Sequence, residues 1–170
     1  MKKISFRNDV LPLKNALYRL ALRITLNREE AEDIVQDTLI KVWNKRESWD
    51  EIDSIEAFSL TICKNLALDH LKRSSRQDSQ IGGAAEEKPD GSSSPYEQML
   101  HKDRMTLIRR LVDALPEKQR CCMQLRDFEG KPYKEIAEIM EISEEQVKVN
   151  IFRARQAIKQ RFKQFDNYGL

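Results

Sequence analysis

Apolar positions recur every three to four residues along most of the chain, and no sustained two-residue alternation interrupts them, so the pattern predicts helices and no sheet. Ala16, Leu17, Leu20, Ala21 and Ile24 form a first stripe. Asn27 stands where an N-cap belongs, with Glu30 three residues on, and Glu29, Glu30, Glu32 and Asp33 crowd the first turn, where the helix dipole favours acids. Ala31, Ile34, Val35, Leu39, Val42 and Trp43 are the expected buried face of that second helix. A polar loop follows, and Asp53 with Glu56 suggests another capping box, opening a helix from about Ile55 to Arg73 with Phe58, Ile62, Leu66 and Leu71 inside. Three helices with short connections predict a small bundle.

Beyond residue 96 the helical pattern resumes. Leu100, Leu107, Ile108, Leu111 and Val112 mark one helix, and Pro116 suits the first turn of the next, which presents Cys122, Leu125 and Phe128 before Gly130 stops it. The spacing then becomes diagnostic. A short helix with Ile136, Ala137 and Met140 inward meets the tight turn Glu141–Ile142–Ser143. Ser143, with Gln146 at the capping-box position, opens a long helix whose apolar side is Val147, Ile151, Ala154, Ile158 and Phe162. Two helices joined by about three residues, the second longer and basic, predict a helix-turn-helix.

Composition divides the chain between these two helical runs. Residues 77–96 combine Gly, Ser, Pro and acids with almost nothing to bury, so they predict a flexible linker between domains 1–76 and 97–170. The net charge of +2 hides 14 basic and 12 acidic groups in the first block, 1 and 4 in the linker, and 15 and 12 in the second block. Basic modules on an acidic tether suggest a polyanionic partner. The fold class expected is all-α: two small helical domains, the second containing a helix-turn-helix.

The same composition argues against other classes. The uncharged stretch Ala57–Cys63 is far shorter than a membrane span, and Arg7 and Asp9 interrupt any secretory signal, so a soluble cytoplasmic protein is expected. Cys63, Cys121 and Cys122 suggest reduced thiols in helical cores rather than disulfides. His70 and His101 lie far apart, with no CxxC, so no metal and no cofactor are expected. No glycine-rich phosphate loop or nucleophile–base set supports an enzyme.

Candidate chemistry lies on the long basic helix. Between Lys148 and Lys163 there are six basic residues and no acid. At 100° per residue the side opposite the apolar stripe carries Glu145, Val149, Phe152, Arg153 and Gln156, flanked by Gln146 and Lys148. Gln146 can satisfy an adenine through two bonds, Arg153 a guanine or a phosphate, and Val149 a thymine methyl. A solvated amphipathic helix is the plainer alternative; the cap, turn and short helix before it favour DNA binding.

The order of motifs supplies the rest. The runs AEDIVQDTLIKVW and AFSLTICKNLALDHLKR, then a polar linker, then LPEKQRCCMQLRDFEGKPYKEIAEIMEISEEQVKVNIFRARQAI together resemble the extracytoplasmic-function group of bacterial RNA polymerase sigma factors. That resemblance implies a promoter-specificity subunit, not an enzyme, whose partners are core RNA polymerase (β′ clamp and β subunits), promoter DNA and an anti-sigma factor, with no membrane insertion. It implies polymerase docking by Asp33, Gln36, Asp37 and Ile40. It implies reading of the minus-ten element as single strand by the loop around Arg46–Ser54 and by Lys64, Asn65, Asp69, Lys72 and Arg73. The minus-thirty-five element would be read in the major groove by Gln146, Lys148, Val149, Asn150, Arg153 and Arg155. Relatives commonly carry glycine where Glu141 stands, so a left-handed backbone there would be strained. A stand-alone helix-turn-helix regulator is the main alternative; it would grip duplex DNA without polymerase, as a two-fold dimer.

Overall fold

In a computed structural model, residues 3–81 and 102–167 are described, and among them there is no strand. After short turns at Phe6–Val10 and Leu11–Leu13 come α1 (Lys14–Thr25) and α2 (Arg28–Asn44), a 3-10 turn at Arg46–Glu51, and α3 (Ile55–Ile81). The second block holds α4 (Lys102–Asp113), α5 (Glu117–Met123), a wide turn at Gln124–Phe128, α6 (Tyr133–Met140) and α7 (Glu144–Asn167).

Local signals explain most boundaries. Asn27 caps α2 by accepting from the Glu30 amide at 3.0 Å. At α3 the cap is Ser54, whose Oγ accepts from the Ala57 amide, not the expected Asp53; Glu56 instead pairs with Lys131. The Ser143–Gln146 capping box forms in full: the Gln146 amide donates to Ser143 Oγ at 3.1 Å and the Ser143 amide donates to Gln146 Oε1 at 3.2 Å. Gly130, at φ +70°, supplies the left-handed residue that turns the chain toward α6.

α3 runs past Arg73 to Ile81, so the first residues of the expected linker are helical; the remainder of that segment, and Leu100, lie outside the described residues. Polar composition alone does not end a helix when no glycine or proline intervenes, and none stands between Arg73 and Ile81.

Helices α1, α2 and α3 pack mutually, as the apolar stripes require, with Leu17, Leu20, Ile24, Ile34 and Leu60 fully enclosed. Two expected core aromatics are not core. Trp43 is 44% exposed and stands edge-on to Phe6 and Trp49, while Trp49 is the buried indole, its Nε1 donating to the Val42 carbonyl at 3.1 Å. Phe128 is half exposed beneath the Arg23 guanidinium. Both rings sit at the rim of their stripes, where the helical period sets a side chain's direction but not its depth.

The two blocks share one core. Cys121, Leu125, Ile136, Ile139, Val147 and Ile151 of the second are contiguous with Leu17, Ile24, Leu60 and Ala67 of the first, with α6 packed on α3 and α5 on α1. All three cysteines are free thiols inside it.

Candidate nucleic-acid interface

The helix-turn-helix forms as the spacing predicts. α6 ends at Glu141, a left-handed C-cap at φ 61°, and α7 starts three residues later. Burial of Ile136, Ile139 and Met140 on α6 and of Val147, Ile151 and Ala154 on α7 fixes the mutual orientation of the two helices. The opposite side of α7 is therefore turned outward: Gln146, Lys148, Val149 and Arg153 are exposed and Asn150 half-buried.

Several of these side chains already have partners. Asn150 Nδ2 donates to the Gln146 carbonyl at 2.8 Å, and Lys148 Nζ lies 5.5 Å from the centre of the Tyr133 ring. Arg155 binds Asp127 through two nitrogens, and that bond raises its pKa above the ordinary guanidinium value. Arg155 is thus oriented before any ligand arrives, although both it and Arg153 are exposed. Phe152, 62% exposed on the same side, was placed on that face by the helical arithmetic but not among the contact residues.

In the first block the α3 candidates separate. Asn65, Asp69, Lys72 and Arg73 are exposed along one side. Lys64 departs from the group: its side chain is only 4% exposed, and Nζ sits 2.9 Å from Glu141 Oε1. At 100° per residue Lys64 points toward the stripe of Leu60, Cys63 and Ala67, and a long amphipathic side chain can run along apolar surface to an acid at its edge. The expected loop is the 3-10 turn, with Arg46 stacked 4.3 Å over the Trp43 ring and Trp49 anchoring it from below.

The α2 candidates are all turned to solvent. Asp33, Gln36 and Asp37 are exposed, and Ile40 is 56% exposed beside an open apolar groove lined by Phe6, Leu39, Ile40 and Trp43. The sequence pattern missed Phe6, which reaches this groove from outside any helical stripe. Among the described residues no group of three His, Cys, Asp or Glu side chains gathers at metal-binding distance, and no helix is long and apolar enough to cross a membrane.

These elements define an all-helical protein built around a helix-turn-helix with an exposed basic second helix. Comparison with known proteins places it further. Residues 10–77 match the family model described as sigma-70 region 2, and residues 105–158 match sigma-70, region 4. RNA polymerase sigma-H factor of Pseudomonas aeruginosa is 29% identical over 164 residues, covering 92% of this chain and 85% of the relative. The ECF RNA polymerase sigma-E factor of Escherichia coli is 29% identical over 141 residues, covering 76% and 72%. Among solved structures, the sigma factor RpoE in complex with the anti-sigma factor NepR from Bartonella quintana superposes with a TM-score of 0.75 at 25% identity, covering 93% of this chain and 96% of that one. The chain belongs to the extracytoplasmic-function group of the sigma-70 family of RNA polymerase sigma factors, which are transcription initiation factors rather than enzymes.

Proposed function

We propose that this sigma factor binds core RNA polymerase through the solvent face of α2, with Asp33, Gln36, Asp37 and Ile40 against the β′ clamp, and reads two promoter elements. α7 enters the major groove of the minus-thirty-five element with Gln146, Lys148, Val149, Asn150, Arg153 and Arg155. α3, with Lys64, Asn65, Asp69, Lys72 and Arg73, and the turn at Arg46–Ser54 take the minus-ten element as exposed single strand. The observation that carries this reading is the division of α7 into a buried Val147/Ile151/Ala154 side and an exposed Gln146/Lys148/Val149/Arg153 side directly after a helix and tight turn. That arrangement matches helix-turn-helix docking, in which the N-terminal part of the second helix meets base edges.

An unstacked base needs a stacking surface and a cation. The exposed Trp43 ring with Arg46 over it supplies both beside the turn. Two modest modules on one chain gain avidity through effective concentration, so each element is read weakly alone and firmly on polymerase. An anti-sigma factor is a further expected partner, supported by the structural relative that was solved with one, and the site of action is the cytoplasm.

The test is run-off transcription from genomic fragments with purified core polymerase, with and without the chain. Defined transcripts that appear only with the chain support the reading. Tight binding to duplex sites by the chain alone, without association with core polymerase, would overturn it in favour of a stand-alone regulator.

A further inference from the structure

The α7 residues assigned to DNA do not share one direction. At 100° per residue Val149 and Gln156 mark the outward line of the helix, with Arg153 about 50° to one side of it. Lys148 and Arg155 lie on the other side, about 100° from that line, within about 20° of each other and two turns apart. Their flank meets the chain that joins α5 to α6, and each cation finds a partner there.

Arg155 donates from Nε and Nη2 to the two carboxylate oxygens of Asp127, in the wide turn after α5. Lys148 Nζ lies 5.5 Å from the centre of the Tyr133 ring, at the start of α6. Gly130, left-handed at φ +70°, turns the chain between those two partners. The Tyr133 ring is itself held: the Arg126 guanidinium stacks on it at 4.3 Å and donates from Nη1 to the Lys131 carbonyl at 2.9 Å. Arg126, Lys148 and Arg155 thus gather along Tyr133 and Asp127, three cations with one acid.

Asp127 does not exhaust Arg155. A guanidinium carries five N–H donors in one rigid plane; the acid takes two of them, and the side chain is still 52% exposed. Three donors therefore remain for a second anion while the first holds the plane in place.

We propose that Asp127 and Tyr133 are positioning residues, which hold Arg155 and Lys148 as a preformed pair of contacts to the phosphates of duplex DNA. The inference rests on the minus-thirty-five reading of α7 and divides its contacts: the outward line meets base edges, the supported flank meets backbone. A long cation gives up rotamer freedom when it fixes a phosphate, and one already fixed by its own fold gives up less. Asp127 also repels phosphate at a distance, and salt separates the two effects. Screening acts over about 8 Å at about 0.15 M and suppresses the repulsion, whereas orientation persists.

The test titrates the full chain onto a fluorescein-labelled duplex of mixed sequence, read by anisotropy from about 20 to about 200 mM salt. Arg155→Ala should reduce the slope of log affinity against log salt by about 0.9, the mark of one lost phosphate contact. Asp127→Asn should not reduce that slope, yet should bind about fivefold more weakly at the high-salt end. On an Arg155→Ala background the same Asp127→Asn change should no longer weaken binding, because nothing is left to orient. Tyr133→Leu should weaken binding about twofold, only while Lys148 is present, and Tyr133→Phe, which keeps the ring, should restore it. An Asp127→Asn chain that binds as tightly as the parent at high salt, or that loses affinity equally with and without Arg155, overturns the positioning of Arg155. A Tyr133→Leu loss that survives Lys148→Ala overturns the positioning of Lys148. Arg155→Ala and Lys148→Ala chains with the parent's affinity and slope overturn the DNA reading of this flank itself.

Discussion

The buried thiols should make folding stability fall steeply in mild alkali, and Cys121→Ala isolates the effect. Desolvation pushes the Cys63 and Cys121 thiols up to about 12 and that of Cys122 up to about 11, from an ordinary value of 9.0. A group whose folded pKa is raised contributes stability in full below its unfolded value and loses it as pH climbs from there toward the folded value. The window for Cys121 therefore opens near 9 and closes near 12. From about pH 8 to about pH 10 an unfolded thiol releases its proton while the folded one keeps it, which costs about 1.4 kcal/mol per thiol. Three such thiols remove about 4 kcal/mol, a large share of the 5–15 kcal/mol typical of a domain. The variant lacks one of them. Urea unfolding followed by circular dichroism should show Cys121→Ala about 1 kcal/mol less stable than the parent near neutrality. By about pH 10 the gap should close or reverse, because the parent alone carries the Cys121 titration. Lysine and tyrosine titrations are common to both proteins and cancel in the difference. Stability curves that run parallel across this range would refute the assignment of Cys121 to a desolvated site, and so the continuity of the core across α5.

The remaining predictions concern the proposed surfaces and the caps. Arg153→Ala should weaken binding to a minus-thirty-five duplex about tenfold or more, consistent with about 1–3 kcal/mol for a base-edge contact, and leave core-polymerase pull-down unchanged. Loss of polymerase binding in that variant would contradict the division of roles between α7 and α2. Asp37→Arg should reduce co-purification with core polymerase while preserving the far-ultraviolet dichroism, since Asp37 is exposed; undiminished association would remove α2 from the docking surface. Ser143→Ala deletes the acceptor for the Gln146 amide. It should cost about 1 kcal/mol and lower the melting temperature by about 2–4 °C, read by thermal dichroism.

How much was legible before the structure depended on whether a feature is local. The α7 stripe, its capping box and the turn at Glu141 are set by residues within one or two helical turns, and each formed where the spacing put it. The same holds for the stripe of α1 and for the Asn27 cap. The cap of α3 went to Ser54 instead of its neighbour Asp53, a one-residue choice that backbone direction decides and composition does not. Trp43 satisfied the helical period yet lies at the rim, because periodicity ranks direction and not depth. Lys64 shows the sharpest limit. The helical period sets it beside the stripe of Leu60, Cys63 and Ala67, yet the acid that receives its ammonium lies 77 residues away, where no pattern within α3 can show it.

The construction of the seam between the blocks also bears on how it responds to salt. In each crossing pair one partner is largely buried and the other is at least a third exposed: Glu129 against Arg19, Arg23 against Asp113, Lys64 against Glu141, Lys131 against Glu56. The buried member has lost its hydration and depends on its partner, so deleting the exposed member costs far more than deleting an ordinary surface charge. The exposed member remains within reach of dissolved ions, so screening weakens every pair together as ionic strength rises. An apolar core does not respond this way: kosmotropic salts strengthen it. Arg120 follows the same logic without a carboxylate, its guanidinium held by the carbonyls of Asp113, Leu115 and Ile24. At matched ionic strength, sulfate should therefore leave the molecule more compact than chloride if apolar contact dominates the seam, and the two salts should loosen it equally if the ion pairs do.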